Sequence, residues 1–197
     1  MLSFKDRVKD ALAVVLLWFM IMLDDIKEII TTVVITFLVA LIVNNFFFRI
    51  VVVSGNSMHP SVKDGSYGFS SIVSRHVNGI QRFDIVVINS EERGKNLIKR
   101  VIGLPGESIE YRNGQLYIDG KEYEESFLDK SYVDSYKTAS GYFTDNYQCV
   151  LGENEYLCLG DNRPISADSR IYGPFKSEEI VAKDIFVIYP FDEFGGK

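Results

Sequence analysis

Histidine and cysteine are scarce in this chain, with two of each among 197 residues. A zinc site normally takes four nitrogen or sulfur ligands, or three plus an open position, so no metal is expected. No cofactor is expected either. Basic runs are also missing. There are 21 Lys and Arg against 27 Asp and Glu, for a net charge of −6, and no block of five basic residues occurs. That argues against a nucleic-acid partner, because phosphate recognition needs a basic patch. Five Pro and fifteen Gly are too few for a collagen-like or low-complexity chain. With 47% hydrophobic and 13% aromatic residues, the chain does not have the composition of a disordered one.

The apolar residues are unevenly spread. Ile29–Phe48 (IITTVVITFLVALIVNNFFF) is twenty residues without a formal charge. As a helix rising about 1.5 Å per residue it covers about 30 Å, the thickness of a hydrocarbon core. Asn44 and Asn45 fall where headgroups begin, and Phe46–Phe48 with Arg49 read as an interfacial girdle. A second apolar run, Ala11–Leu23, is short for a span, and Asp24-Asp25 follow it with no small-x-small cleavage site. The expected organisation is a cytoplasmic or interfacial segment at 1–28, a transmembrane helix at 29–48 and an extracytoplasmic domain at 49–197. Lys5, Arg7, Lys9 and Lys27 lie on one flank of the span, with only Arg49 and Lys63 within twenty residues of the other. The positive-inside rule then puts the N-terminus in the cytoplasm of a single-pass cell-membrane protein, with the lipid bilayer as a partner.

Beyond the span the pattern is that of a β meander. Ile50–Val53, Asp84–Asn89, Leu97–Gly103 and Ile180–Tyr189 read as strands. Ser108–Tyr111 and Gln115–Ile118 flank Arg112-Asn113-Gly114, and Asn-Gly is a strong hairpin signal because both residues accept φ > 0. Cys149–Leu151 and Tyr156–Leu159 flank another turn. If Leu151 pairs with Tyr156, the two cysteines face each other, and an exported domain permits a disulfide there. Two reduced thiols are the alternative. Segment 124–146 is polar, Tyr-rich and irregular, and no helix is expected after Phe48.

Four stretches carry chemistry: Ser54–Pro60 (SGNSMHP), Arg82–Val87 (RFDIVV), Lys99–Glu107 (KRVIGLPGE) and Gly160–Arg170 (GDNRPISADSR). Ser57 follows a strand and a glycine, which suits a nucleophile backed by exposed amide N–H groups. A serine needs a base. His59 is too close in sequence to reach its hydroxyl in line, and a surface histidine is the plainer reading. Lys99 lies in an apolar strand, where neighbouring side chains point to opposite faces, so either Lys99 or Arg100 faces inward. Arginine does not lose its proton, whereas a desolvated lysine does. A lysine that snorkels to water is the alternative. The last stretch packs Asp161, Arg163, Asp168 and Arg170 into one loop, as two Asp/Arg pairs that fix geometry. Ser166 or Ser169 is available to aim a lysine amine.

In this order the four stretches resemble the serine, strand, lysine and C-terminal boxes of the bacterial type I signal peptidases, over about residues 29–190. The resemblance implies a mainly β catalytic domain of antiparallel sheets behind an N-terminal transmembrane helix. It implies a membrane-bound serine endopeptidase that removes signal peptides from secretory preproteins, with small residues at −1 and −3 of the cleavage site. Ser57 becomes the nucleophile and Lys99 the general base. Ser166 orients the amine, Asp168 and Arg170 form an ion pair, and Asp161 and Arg163 support the loop. The peptide lies as an added strand between the Ser57 segment and the strand leading to Lys99. Val51, Val53, Met58 and Ile98 shape its pockets. Lys99 sets the chain apart from the endoplasmic-reticulum relatives, which carry histidine there. Gly55 stands where some members have a serine that donates to the oxyanion, which leaves that task to backbone N–H groups such as that of Ser57. Phe83 replaces a usual glycine. The family does not account for Ala11–Leu23.

Two other readings fit parts of the pattern. A self-cleaving repressor-type Ser/Lys protease lacks the spanning segment and carries a DNA-binding module. A membrane-anchored β domain could bind or organise partners with Ser57 and Lys99 inert.

Overall fold

The computed structural model describes residues 4–90, 94–136 and 141–197, so residues 137–140 of the Tyr-rich segment lie outside it. The chain divides into two units, Met1–Asn45 and Phe46–Lys197. The first is helical. Helix α1 runs over Phe4–Phe46, taking both apolar runs into one element. Its 43 residues correspond to about 65 Å of helix. Val15–Val43 is long and apolar enough to cross a membrane and is unburied throughout. Asp24 and Lys27 interrupt it with an exposed ion pair one turn apart. Phe48, expected at the end of the span, begins a strand instead.

The second unit is two antiparallel sheets. Its elements in order are β1 (Phe48–Val52), β2 (Tyr67–Ser71), α2 (Ile72–Asn78), β3 (Ile85–Ser90) and β4 (Lys95–Gly103), then β5 (Ser108–Arg112), β6 (Gln115–Ile118) and β7 (Lys121–Tyr123). They continue with α3 (Lys130–Ser135), β8 (Tyr147–Val150), β9 (Glu155–Leu159), α4 (Ser169–Tyr172), β10 (Phe175–Lys176), β11 (Ile180–Tyr189) and β12 (Gly195–Gly196). The larger sheet has the order β1-β2-β11-β3-β4-β9-β10, with β12 on β11, and the smaller is β7-β6-β5-β8. The expected hairpin is present, with Ile109 opposite Ile118 and Arg112 opposite Gln115. Asn113 and Gly114 both have positive φ, as the turn requires.

Alternation sets the core. Val51 and Val53 turn inward to pack with Met58, Val62, Ile85, Val87 and Ile185, while Ile50 and Val52 stay exposed. A second cluster, built on Ile102, Ile109, Tyr111, Leu116, Leu157 and Leu159, joins the two sheets. Gly103 is where β4 turns toward the smaller sheet. A Cβ there would lie 2.6 Å from the Leu151 side chain and 2.8 Å from that of Ile109, so any larger residue would have to push both aside.

Two expectations are corrected. Leu151 does not pair with Tyr156. β8 pairs with β5 in the smaller sheet, whereas β9 pairs with β4 and β10 in the larger one. The intervening turn carries the chain between sheets, so Cys149 and Cys158 do not face each other and both are free thiols. Short helices do follow Phe48. At four to seven residues they are too brief for apolar periodicity to reveal them. Each is marked by an N-cap side chain instead, with Ser71, Asp129 and Asp168 accepting from the first-turn N–H groups of Ser74, Tyr132 and Arg170.

Candidate active site

Loop 53–66 is closed at its base by Val53 N–H donating to Ser66 O (2.9 Å) and Gly65 N–H donating to Val53 O (3.0 Å). Within it Gly55 has φ +98, and a Cβ there would meet nothing within 4 Å. Conformation, not space, therefore demands glycine. The Gly55 N–H is held by Asp64 Oδ1 at 2.7 Å. The far side of the loop is fixed by the C-terminal turn. Glu193, 6% exposed, accepts from the Ser66 hydroxyl (3.1 Å) and the Lys63 N–H (3.3 Å). Asp192 bonds the Lys63 ammonium at 2.8 Å.

Ser57 is partly buried in this loop, and the next residue, Met58, is sealed into the core. Lys99 Nζ lies 2.8 Å from Ser57 Oγ. The lysine side chain comes from β4 and is only 2% exposed. Burial on that scale disfavours an ammonium relative to the neutral amine. Its neighbour Arg100 is buried as well, at 8% exposure, because both faces of β4 are covered. Arg100 makes a bidentate pair with Asp161, Nε to Oδ1 at 2.9 Å and Nη2 to Oδ2 at 2.7 Å, and donates to Phe83 O.

The expected pairing inside the 160–170 loop is therefore half right in its geometry. Asp168 and Arg170 do pair, with Nε to Oδ1 and Nη2 to Oδ2 both at 2.8 Å. Burial pushes the Asp168 carboxyl up. The hydrogen bonds and charge of Arg170, with the Gly160 N–H, outweigh it, and the carboxyl rests below its ordinary range. Asp161 and Arg163 do not pair with each other. Arg163, fully buried, reaches the smaller sheet instead. It ion-pairs Glu125, and Nη1 donates to the Tyr111 hydroxyl (2.8 Å) and to Thr144 Oγ1 (3.1 Å). Its Nε holds Gly160 O at 3.0 Å. Burial works against the Arg163 charge, but Glu125 and Tyr111 hold its pKa above the ordinary value.

This loop meets the Ser57 loop closely. Asn162 donates its N–H to Ser57 O and its Nδ2 to Asn56 O, both at 3.0 Å. A Cβ on Gly160 would sit 2.3 Å from Ser57 O and 2.2 Å from Ser166 Oγ. Ser166 Oγ is buried with no hydrogen-bond partner among the described residues, so it does not bond the Lys99 amine in this state. Ser169 Oγ accepts from Cys158 N–H at 3.0 Å. Val51, Val53 and Met58 are at most 6% exposed, and Ile98 packs against them half-buried. Among the described residues no three His, Cys, Asp or Glu side chains are grouped to hold a metal ion.

Three contributors were given no role in the sequence: Asn162, Glu125 and Arg100. Asn162 and Arg100 sat inside the highlighted stretches, but nothing local marked their partners. Glu125 lay in the segment left without structure. His59, half-buried, packs edge-on against Tyr132 at 5.1 Å between ring centroids.

This arrangement supplies an alcohol, a buried amine within hydrogen-bonding reach and a scaffold of ion pairs around them. Sequence comparison with known proteins points the same way. The family model described as signal peptidase, peptidase S26, matches residues 26–189. Signal peptidase IB of Staphylococcus aureus (strain COL) is 35% identical over 153 residues, covering 72% of this chain and 78% of the relative. Signal peptidase I of Streptococcus pneumoniae serotype 4 is 35% identical over 176 residues, covering 74% of this chain and 84% of the relative. A crystal structure of a signal peptidase I from Enterococcus faecalis V583 is 34% identical, with a TM-score of 0.48. It is matched over 53% of this chain and 95% of that one.

Proposed function

The chain belongs to the signal peptidase family, peptidase S26, and is a serine endopeptidase that removes signal peptides; from that premise we propose that Ser57 is its nucleophile and Lys99 its general base. The observation that carries this is the 2.8 Å separation of Lys99 Nζ from Ser57 Oγ, with the lysine 2% exposed.

The reaction follows from those two atoms. The neutral amine takes the Ser57 proton as Oγ bonds to the scissile carbonyl carbon. Negative charge builds on the carbonyl oxygen and is met by backbone donors, with Ser57 N–H the first of them. The ammonium returns its proton to the leaving amine as the peptide bond breaks. An acyl ester remains, and the amine then deprotonates the water that hydrolyses it. In this reading Ser166, buried beside Gly160 and the Ser57 carbonyl, aims the amine once substrate enters. Asp168 and Arg170 lock that loop, while Asp161 and Arg163 tie it to β4 and to the smaller sheet.

The substrate side rests on an open edge. β3 pairs with β4 from Lys95 to Arg100, but β9 pairs with it only at Arg100, Val101 and Gly103. The other edge of Lys95–Lys99 is thus open to an extended peptide among the described residues. Val51, Val53, Met58 and Ile98 floor that cleft. Val51, Val53 and Met58 are almost fully buried and Ile98 is half-buried, so pockets built on them are shallow, which suits small residues at −1 and −3. The protein is anchored in the membrane by its N-terminal apolar helix. Charge bias along the sequence supports a cytoplasmic N-terminus, with residues 49–197 as an extracytoplasmic catalytic domain. Exposed Ile50, Val52, Tyr67, Tyr189 and Phe191 give that domain an apolar surface suited to the lipid boundary.

Cleavage of a synthetic signal-peptide substrate by the full chain in detergent tests the assignment. Ser57→Ala and Lys99→Ala should each lower the rate on the order of 10⁴-fold. His59→Ala should stay within about tenfold of wild type, since an aromatic contact is worth about 0.5–1.5 kcal/mol. Equal collapse of the His59 and Lys99 variants would instead mark a Ser/His mechanism, and wild-type inactivity would leave a binding domain.

A further inference from the structure

Segment 124–136 takes no part in the dyad, yet it touches each motif that builds it. Glu125 ion-pairs Arg163 of the C-terminal box. Phe127 lies beneath Arg100 of the lysine box, 4.2 Å from guanidinium carbon to ring centroid, and 5.0 Å from the Phe83 ring. Tyr132 on α3 packs against His59 of the serine box at 5.1 Å, against Tyr136 at 4.9 Å and against buried Phe143 at 6.0 Å. Phe83 holds φ +71, a left-handed conformation that costs a bulky residue energy and that glycine takes freely. Its ring contact with Phe127 offsets that cost. The segment is thus anchored at three points around Ser57 and Lys99, with two tyrosine rings left partly open to solvent.

The direction of the cleft says what passes there. On the signal-peptide reading above, the signal-peptide side of the substrate pairs with the open edge of β4 ahead of Lys99. At Arg100 that edge is taken by β9, so a paired peptide has to leave it at Lys99. On the same reading its chain beyond the scissile bond departs past the residues that follow Ser57. Met58 is buried, and the next ring exposed to that path is His59, with Tyr132 and Tyr136 behind it.

We propose that the surface formed by His59, Tyr132 and Tyr136 is the subsite for the first residues of the mature polypeptide, an extended peptide that lies against aromatic faces. Glu125 and Phe127 are its positioning residues. The inference rests on the signal-peptide reading above and adds to it the leaving-group side of the site.

The test uses the full chain in detergent and two substrates that share one signal-peptide sequence through −1. One continues for ten residues of mature sequence, and the other ends after a single alanine amide. Tyr132→Ala should lower kcat/KM for the long substrate about three- to tenfold, mainly through KM, and change the short one less than twofold. Tyr132→Phe, which keeps the ring, should restore the long substrate to near wild type. Equal loss on both substrates would overturn the proposal, because it would make Tyr132 merely structural. No loss on either would overturn it too, because the mature chain would then pass elsewhere. Failure of the wild type to cleave either substrate would remove the signal-peptide reading itself, an outcome separate from both.

Discussion

A lysine head group withdrawn from water to 2% exposure and set 2.8 Å from a serine hydroxyl has the geometry the proposed base requires. The groups around it are the opposite case. Asp168 is fully buried, but Arg170 and the Gly160 N–H keep its carboxyl ionised and its pKa low. A folded-state pKa below the unfolded value adds stability above the unfolded pKa of about 3.9, and that stability is lost as pH falls through the lower folded value. Denaturant midpoints measured from pH 7 down to pH 2 should therefore fall steeply in the wild type below about pH 4. Asp168→Asn should be less stable at pH 7 by about 3 kcal/mol, with a shallower acid slope. Parallel curves for the two proteins would show that Asp168 carries none of the acid sensitivity.

At the scale of elements, the decisive contact is between two loops. Gly160 presses against the Ser57 carbonyl with no room for a side chain, while Asn162 bonds the same carbonyl. Gly160→Ala should push the Ser57 loop away from Lys99. A displacement near 1 Å costs about 100-fold in kcat, with far-ultraviolet circular dichroism unchanged; a fully active variant would show that the loops part freely. Much of this architecture was legible in the sequence. The β5–β6 hairpin, β3, β4 and β11 followed from β-branched runs and an Asn-Gly turn, since strand alternation and turn chemistry are local. Ser57 and Lys99 were legible because each sits in a short motif. The crossing between sheets at 152–154 was not, because a turn sequence does not say which strands it joins. Nor were the partners of Arg100 and Arg163. Asp161 is 61 residues from Arg100 and Glu125 is 38 from Arg163, so only the folded chain brings them together. The described part of the Tyr-rich segment looked irregular because its residues are held by such distant contacts, and not by any period of their own.

At the scale of the whole molecule, α1 supplies an apolar anchor and the β unit supplies the chemistry. The apolar run Ala11–Leu23 joins the same helix as the expected span, a continuity that the acidic residues between the two runs concealed. On the proposed reading the β unit takes its peptide at the open edge of β4 and processes it with the buried Lys99 amine. The dependence of kcat/KM on pH for the intact protein in detergent, with a signal-peptide substrate, tests that amine most directly. The rate should rise through a single ionisation lying below the about 10.4 of free lysine and then level off. A rate still climbing at pH 10, or one governed by an ionisation near about 6.5 that disappears in His59→Ala, would contradict the assignment of Lys99 as the base.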